Sequence, residues 1–253
     1  MVERKVAVLR ADASDLIGVG HVMRSLALGE ALLDVGFDVM LATVGLPAGM
    51  REEAHKCGIT VVDLQCVPFG AADALATLSL NGAVLVIDGY KFEREFFEIL
   101  ENQATHFAVI DDNVETKALA PSVVINQNPH ATPEMYVHLL GTPQLLLGLQ
   151  YALLRREVRE ATKQSINPVA RKVFVAMGGS DFLQLTSPIV NGLKDLDIEI
   201  CVAIGPTNGQ RQQIEETVKS IPRARVIAQV DYITELASSS LAILAAGSSL
   251  WEA

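Results

Sequence analysis

Short apolar runs separated by helix-patterned stretches recur roughly every 20 to 25 residues, and this rhythm constrains the fold more than any other feature. In the first part of the chain the runs are Lys5–Arg10, Asp38–Thr43, Ile59–Leu64, Ala83–Ile87, His106–Ile110 and Val123–Asn126. After a gap come Lys172–Met177, Ile198–Ile204, Arg225–Ala228 and Leu241–Leu244. They are apolar throughout instead of alternating, which is the pattern of parallel strands covered on both faces. Helical spacing fills the intervals at Val22–Val35, Met50–Cys57, Glu93–Asn102, Leu183–Leu193 and Gln210–Ser220. Gly36 follows the first of these as a helix stop. Strand–helix alternation of this kind predicts an α/β chain of right-handed crossover units.

The rhythm breaks at Arg155–Arg171, which is charged and polar and contains an Asn-Pro step. A helix running into a linker is expected there. The reading is two Rossmann-like domains, 1–158 and 171–253, joined by a linker at 159–170 and facing a cleft. Half of the residues are hydrophobic and 20% are charged, which provides for sizeable cores and excludes disorder and coiled coil. The net charge of -10 argues against a general nucleic-acid binder, but backbone amides can still hold a small anion. No apolar run approaches about 18 residues, so no membrane span is expected. The opening MVERKVAVLRAD lacks a signal-peptide pattern, and Cys57, Cys66 and Cys201 have unrelated spacings that suit reduced thiols. A soluble cytoplasmic protein is the expectation.

In open α/β sheets, ligands bind beyond the carboxyl ends of the strands, so the loops after strands hold the candidate residues. The first loop runs from Ala11 through Asp12, Gly18 and Gly20 to His21 and enters a helix. Gly18 and Gly20 suit positive φ and close approach of a ligand. His21 stands at a helix N-terminus, where the dipole disfavours the imidazolium and leaves a ring able to accept a proton. The plain alternative is a tight turn with a polar residue at its end. The pattern lacks the third glycine and the acidic partner of a dinucleotide fingerprint.

In the second part, Gly178-Gly179-Ser180-Asp181 and Gly247-Ser248-Ser249-Leu250-Trp251-Glu252 are small-residue loops entering helices. That arrangement offers amides to phosphate, with ordinary helix capping as the alternative. Glu252 is placed to accept from ribose hydroxyls. Asp88, Tyr90, Asp111, Asp112 and Asn128 lie at the ends of first-part strands, on the same edge as His21. The remaining His residues are scattered without ligand spacing, so neither a metal nor a cofactor is expected.

Taken in order, several segments resemble one known family. They are Asp12-Ala-Ser, Ile17-Gly-x-Gly-His-Val-Met-Arg24, Asp88-x-Tyr90, Asp111-Asp112 and Asn126-Gln127-Asn128-Pro129. Gly148-Leu-Gln-Tyr-Ala-Leu-Leu-Arg155, Gly178–Asp181 and Gly247–Glu252 complete the set. The pattern resembles the UDP-2,4-diacetamido-2,4,6-trideoxy-β-L-altropyranose hydrolases of pseudaminic acid biosynthesis and related spore-coat polysaccharide proteins. These are relatives of the GT-B glycosyltransferases. The resemblance implies a GT-B-like fold and a metal-independent, inverting hydrolysis. In it His21 activates water against the anomeric carbon and UDP departs.

By the same resemblance Asp12, Gly18, Gly20, Asp88, Tyr90 and Asn128 orient the sugar or the water. Gly178, Gly179, Ser180, Gly247, Ser248, Ser249 and Glu252 bind UDP, and the loop before Tyr232 holds uracil. The family continues past the Trp-Glu pair, so the second domain is expected to be incomplete at Ala253. A UDP-sugar-dependent transferase and an inactive UDP-sugar-binding fragment remain the alternatives.

Overall fold

The computed structural model describes residues 4–14, 16–103, 106–161, 171–205, 208–228, 231–245, 247 and 249–253. They form two compact units, one of residues 1–17 with 21–153 and one of residues 18–20 with 154–253. The first unit begins with strand β1 (Val6–Ala11), helix α1 (Gly20–Asp34), β2 (Asp38–Thr43), α2 (Ala48–Lys56) and β3 (Thr60–Asp63). It continues with α3 (Ala71–Leu78), β4 (Val84–Asp88), α4 (Arg94–Asn102), β5 (Phe107–Ile110), β6 (Val123–Asn126) and β7 (Gln144–Leu147). All seven strands are parallel, in the order β3-β2-β1-β4-β5-β6-β7.

The core of this unit follows from the apolar runs. Leu85, Ile87, Phe107, Val109 and Val124 project from the sheet onto Phe96, Phe97 and Leu100 of α4. Each such side chain taken from water contributes about 1.5–3 kcal/mol. On another part of the sheet α1 lies close enough that a Cβ on Gly29 would come within 2.5 Å of Ile59 Cδ1 and 3.1 Å of Leu9 Cδ1. Glycine at that position lets the helix carrying His21 sit low on β1 and β2.

The second unit comprises α5 (Arg156–Ala161), β8 (Lys172–Ala176), α6 (Thr186–Leu193), β9 (Glu199–Ala203) and α7 (Arg211–Lys219). β10 (Ala224–Val226), α8 (Tyr232–Ala237), β11 (Leu241–Leu244) and α9 (Ser249–Glu252) follow. Its parallel sheet has the order β10-β9-β8-β11. Val173, Val175, Ile200 and Val202 pack with Ile214 and Val218 of α7, while Phe174 packs with Val158, Tyr232, Ile233 and Leu236.

The α/β class and the expected strands stand, with small shifts of the ends. Three of these strands and α-helices were not anticipated. β7 is a short strand reached without a long helix, and α3 and α8 are too short to show a clear helical period. The division between the units falls between Leu153 and Leu154 instead of after residue 158. The reason is that α5 packs Val158 into the second core beside Phe174 and Tyr232. Of the expected linker, residues 162–170 lie outside the described residues. Among the described residues no helix is long and apolar enough to cross a membrane.

Candidate active site

Strand order turns around between β1 and β4, which lie side by side with Arg10 opposite Ile87 and Ala11 opposite Asp88. At such a switch point the loops leaving two neighbouring strands part in opposite directions and open a crevice. The loop after β1 brings His21 there as the second residue of α1, and the end of β4 brings Asp88 and Tyr90.

His21 and Asp88, 67 positions apart, meet with Nδ1 and Oδ1 at 2.7 Å, and Asp88 is fully buried. Arg24 clamps the same carboxylate from one helical turn further along α1. Its Nε donates to Asp88 Oδ2 at 2.6 Å and its Nη2 donates to Oδ1 at 2.6 Å. The His21 Nδ1 faces this acceptor at 2.7 Å and the donor Arg24 Nη2 at 3.1 Å. The shorter contact to an acceptor-only group assigns the proton to Nδ1, which leaves the Nε2 lone pair for an incoming proton.

Arg24 Nη1 also bonds Asp112, whose other oxygen accepts from Tyr90 Oη at 2.6 Å. The Tyr90 ring meets the His21 ring edge-on, with centroids 4.6 Å apart. Burial opposes charge on Arg24, but Asp88 and Asp112 outweigh it and hold the guanidinium firmly protonated. Burial works against the Asp112 carboxylate too, yet Arg24 and the Tyr90 hydroxyl keep it below the usual range. Burial and the Asp112 hydrogen bond push the Tyr90 phenol well above its usual value. The phenol is therefore a fixed donor. One guanidinium thus orients two carboxylates, and through them the imidazole and the phenol.

Other expected residues have different partners. Asp12 Oδ1 accepts from Arg10 Nη1 at 2.7 Å, Thr43 Oγ1 at 2.8 Å and the Val44 amide at 2.8 Å, and Oδ2 accepts from Arg10 Nη2 at 2.8 Å. It pins the loops after β1 and β2 together. Asn128 Nδ2 donates to the Asp112 carbonyl at 2.7 Å, which braces the turn after β5. Gly18 has the expected positive φ of 78°. Gly20 does not; it begins α1, and a Cβ there would meet nothing within 4 Å.

Asp12, His21, Asp88 and Tyr90 line a pocket of about 150 Å³, together with Leu16, Ile17, Phe69, Gly89 and Lys91. The sequence reading missed Arg24 and Phe69. Arg24 carried a usable signal, because it lies three residues after His21 and so on the same helix face.

In the second unit the order again turns around, between β8 and β11, whose following loops are the two small-residue segments. Gly178 has φ of 75°, and Gly205 lies so close that a Cβ on it would collide with the carbonyl oxygens of Gly178 and Gly179. Asp181 takes the capping role, accepting from the Leu185 amide at 2.9 Å and the Thr186 amide at 3.0 Å. The Gly247 amide donates to the Ala245 carbonyl at 2.9 Å, so this expected phosphate donor is already engaged. Ser249 begins α9, and Ser248 and residues 229–230 of the expected uracil loop lie outside the described residues.

Glu252 accepts from Arg155 Nε at 2.8 Å, and the Arg155 guanidinium lies 5.3 Å from the centre of the Tyr232 ring. Arg155 thereby holds the expected ribose-binding carboxylate, a role the sequence reading did not give it. Among the described residues one group of three ligand-type side chains clusters, Glu199, Cys201 and Glu235. Both carboxylates are already paired with Arg225, and Glu235 also with Lys172.

No protein-family profile matches the chain. It is 24% identical over 251 residues to the UDP-2,4-diacetamido-2,4,6-trideoxy-beta-L-altropyranose hydrolase of Campylobacter jejuni, covering 95% of this chain and 84% of that protein. An uncharacterized protein of Methanocaldococcus jannaschii is 22% identical over 262 residues, covering 98% of this chain. The chain spans 53% of that archaeal protein's length. Among solved structures, a UDP-glucosyltransferase of Polygonum tinctorium aligns with a TM-score of 0.55 at 13% identity, over 99% of this chain and 78% of its own. The resemblance read from the motifs is thus met by a curated relative, and the architecture is GT-B-like.

Proposed function

We propose that this chain is an enzyme acting on a UDP-linked sugar, and that it hydrolyses the bond between the anomeric carbon and UDP. The observation that carries the reading is the imidazole of His21, fixed through Nδ1 by a buried, arginine-clamped Asp88 beside a sugar-sized pocket. That arrangement is the orienting half of a general-base site. The name of the Campylobacter relative supplies the substrate class, a 2,4-diacetamido-2,4,6-trideoxy sugar on UDP. Release of that sugar for pseudaminic acid biosynthesis is the corresponding role.

In the proposed reaction a water oxygen forms a bond to the anomeric carbon while His21 Nε2 takes its proton. The bond from that carbon to the diphosphate oxygen breaks, and its electron pair leaves with UDP. Attack from the face opposite UDP inverts the configuration. Asp88 stabilises the imidazolium, and Arg24 keeps Asp88 in place. The loops at Gly178–Ser180 and Ser248–Ser249, with Glu252, hold the nucleotide. Chemistry of this kind requires no redox cofactor.

Turnover of the UDP-diacetamido sugar by the wild type and by His21→Ala tests the reading. Expected are free sugar and UDP from the wild type with no acceptor present, and a loss of at least about 100-fold in the variant with UDP binding kept. Strict dependence on an added sugar acceptor would point to the transferase instead. Near-normal turnover of His21→Ala would remove the base role.

A further inference from the structure

Phe69 has φ of 75°, a left-handed backbone conformation that is strained for a bulky side chain. Such strain persists only where the surroundings over-determine it. Here they do. The Phe69 amide donates to Asp73 Oδ2 at 2.8 Å, and its carbonyl accepts from the Glu93 amide at 2.9 Å. Asp73 is fully buried and is held by Arg10 through Nε at 2.8 Å and Nη2 at 2.6 Å. The Phe69 ring abuts Phe92 at 5.4 Å, edge-on, and the Arg10 guanidinium stands 5.2 Å from the Phe92 ring centre.

Arg10 is therefore a strut shared by two walls of the same pocket. It grips Asp12 directly and Phe69 through Asp73. The His21 network uses neither wall for proton transfer. Phe69, Leu16 and Ile17 are the aliphatic and phenyl side chains of a pocket that is otherwise lined by Asp12, His21, Asp88, Gly89, Tyr90 and Lys91.

We infer that Phe69 is a specificity-determining residue whose ring forms the apolar wall that receives a methyl-bearing substituent at C4 or C6 of the sugar, N-acetyl or deoxy, in preference to a hydroxylated one. This rests on the proposed UDP-sugar hydrolysis. A methyl group packed on an aromatic wall is favoured, whereas a hydroxyl covered by that ring loses its hydrogen bonds. The strained backbone is the means by which the ring is placed.

The test compares kcat/KM for the UDP-2,4-diacetamido-2,4,6-trideoxy sugar and for UDP-N-acetylglucosamine, which carries hydroxyl groups at C4 and C6. Phe69→Ala is expected to lower the preference for the trideoxy sugar by about 10- to 100-fold, mainly through KM, and Phe69→Leu to restore part of it. Phe69→Gly, which is free of the backbone strain, is expected to behave like Phe69→Ala and guards against misfolding of the latter. An unchanged preference in Phe69→Ala and Phe69→Gly, with wild-type turnover intact and His21→Ala inactive, overturns the inference alone. Failure of the wild type to hydrolyse either sugar overturns the functional reading and the inference with it.

Discussion

Replacing Asp88 by Asn keeps the shape of the site and changes one charge, so its consequences can be worked from the geometry. The carboxylate accepts at both oxygens, at Oδ1 from His21 and Arg24 and at Oδ2 from Arg24. An amide must turn its NH2 toward one of these donors. With the NH2 at the Oδ2 position it meets only Arg24 Nε, which cannot accept. With the NH2 at the Oδ1 position, His21 can accept through Nδ1 by moving its proton to Nε2. Either arrangement sets the NH2 against an Arg24 donor, Nε at the Oδ2 position or Nη2 at the Oδ1 position, but the second, in which Nδ1 accepts, puts the imidazole proton on Nε2 and blocks the base. In the serine-protease triad the same exchange lowers kcat by about 10⁴, through the wrong tautomer. A fall of about 10³ to 10⁴ in kcat is expected here, equivalent to about 4–5 kcal/mol.

Stability should change as well, because Arg24 is left with Asp112 alone among its two carboxylate partners. Breaking a buried pair from one side costs about 3–5 kcal/mol, and the remaining Asp112 contact puts this case near the lower end. For a chain of this size that is roughly 6–12 °C in midpoint. The assay is UDP release at 25 °C, below the midpoint, with UDP binding measured by calorimetry and the imidazole tautomer by nitrogen NMR. Turnover within tenfold of the wild type would refute the role given to Asp88, and a ring still protonated at Nδ1 would show that the amide keeps its oxygen toward His21.

Gly205→Ala should displace the Gly178–Gly179 turn, because the new Cβ collides with backbone oxygens that have no flexible end to yield. UDP affinity is expected to fall about 10- to 100-fold by calorimetry, and an unchanged affinity would detach that loop from nucleotide binding. In the second unit, burial raises the Glu235 pKa, but hydrogen bonds from Lys172 and Arg225 outweigh it and bring it to about 2 from the usual 4.5. A depressed carboxyl contributes stability that is present above 4.5 and lost as pH falls toward 2. Midpoints measured from pH 6 down to pH 2 should therefore decline less steeply for Glu235→Gln than for the wild type, and parallel curves would contradict the pairing.

Much of the fold was legible in the sequence because its determinants are local. Apolar runs such as Asp38–Thr43, Val123–Asn126 and Leu241–Leu244 mark strands to the residue. The glycine-bearing loop at Gly18–Gly20 marks the turn into the helix that carries His21. β7 was hidden because no long helical stretch leads to Gln144–Leu147, so it falls outside the strand–helix rhythm. Asp12 and Asn128 were chosen as polar residues at strand ends, and that rule cannot distinguish a side chain facing a ligand from one consumed by its neighbours.

By itself, then, the sequence determined the α/β class, the strands and the loops in which chemistry could lie, because hydrophobic period and backbone freedom act over a few residues. Only the tertiary structure decided which of those loops meet. Placing β1 beside β4 brings His21 to Asp88 and lets Arg24 grip Asp88 and Asp112. It also brings Asp73 to Arg10 across 63 positions, and through Arg10 this braces Asp12 and holds Phe69 in its strained pose. These assignments depend on which buried charges find partners, and that is settled by strand order and long-range packing, which no local pattern encodes.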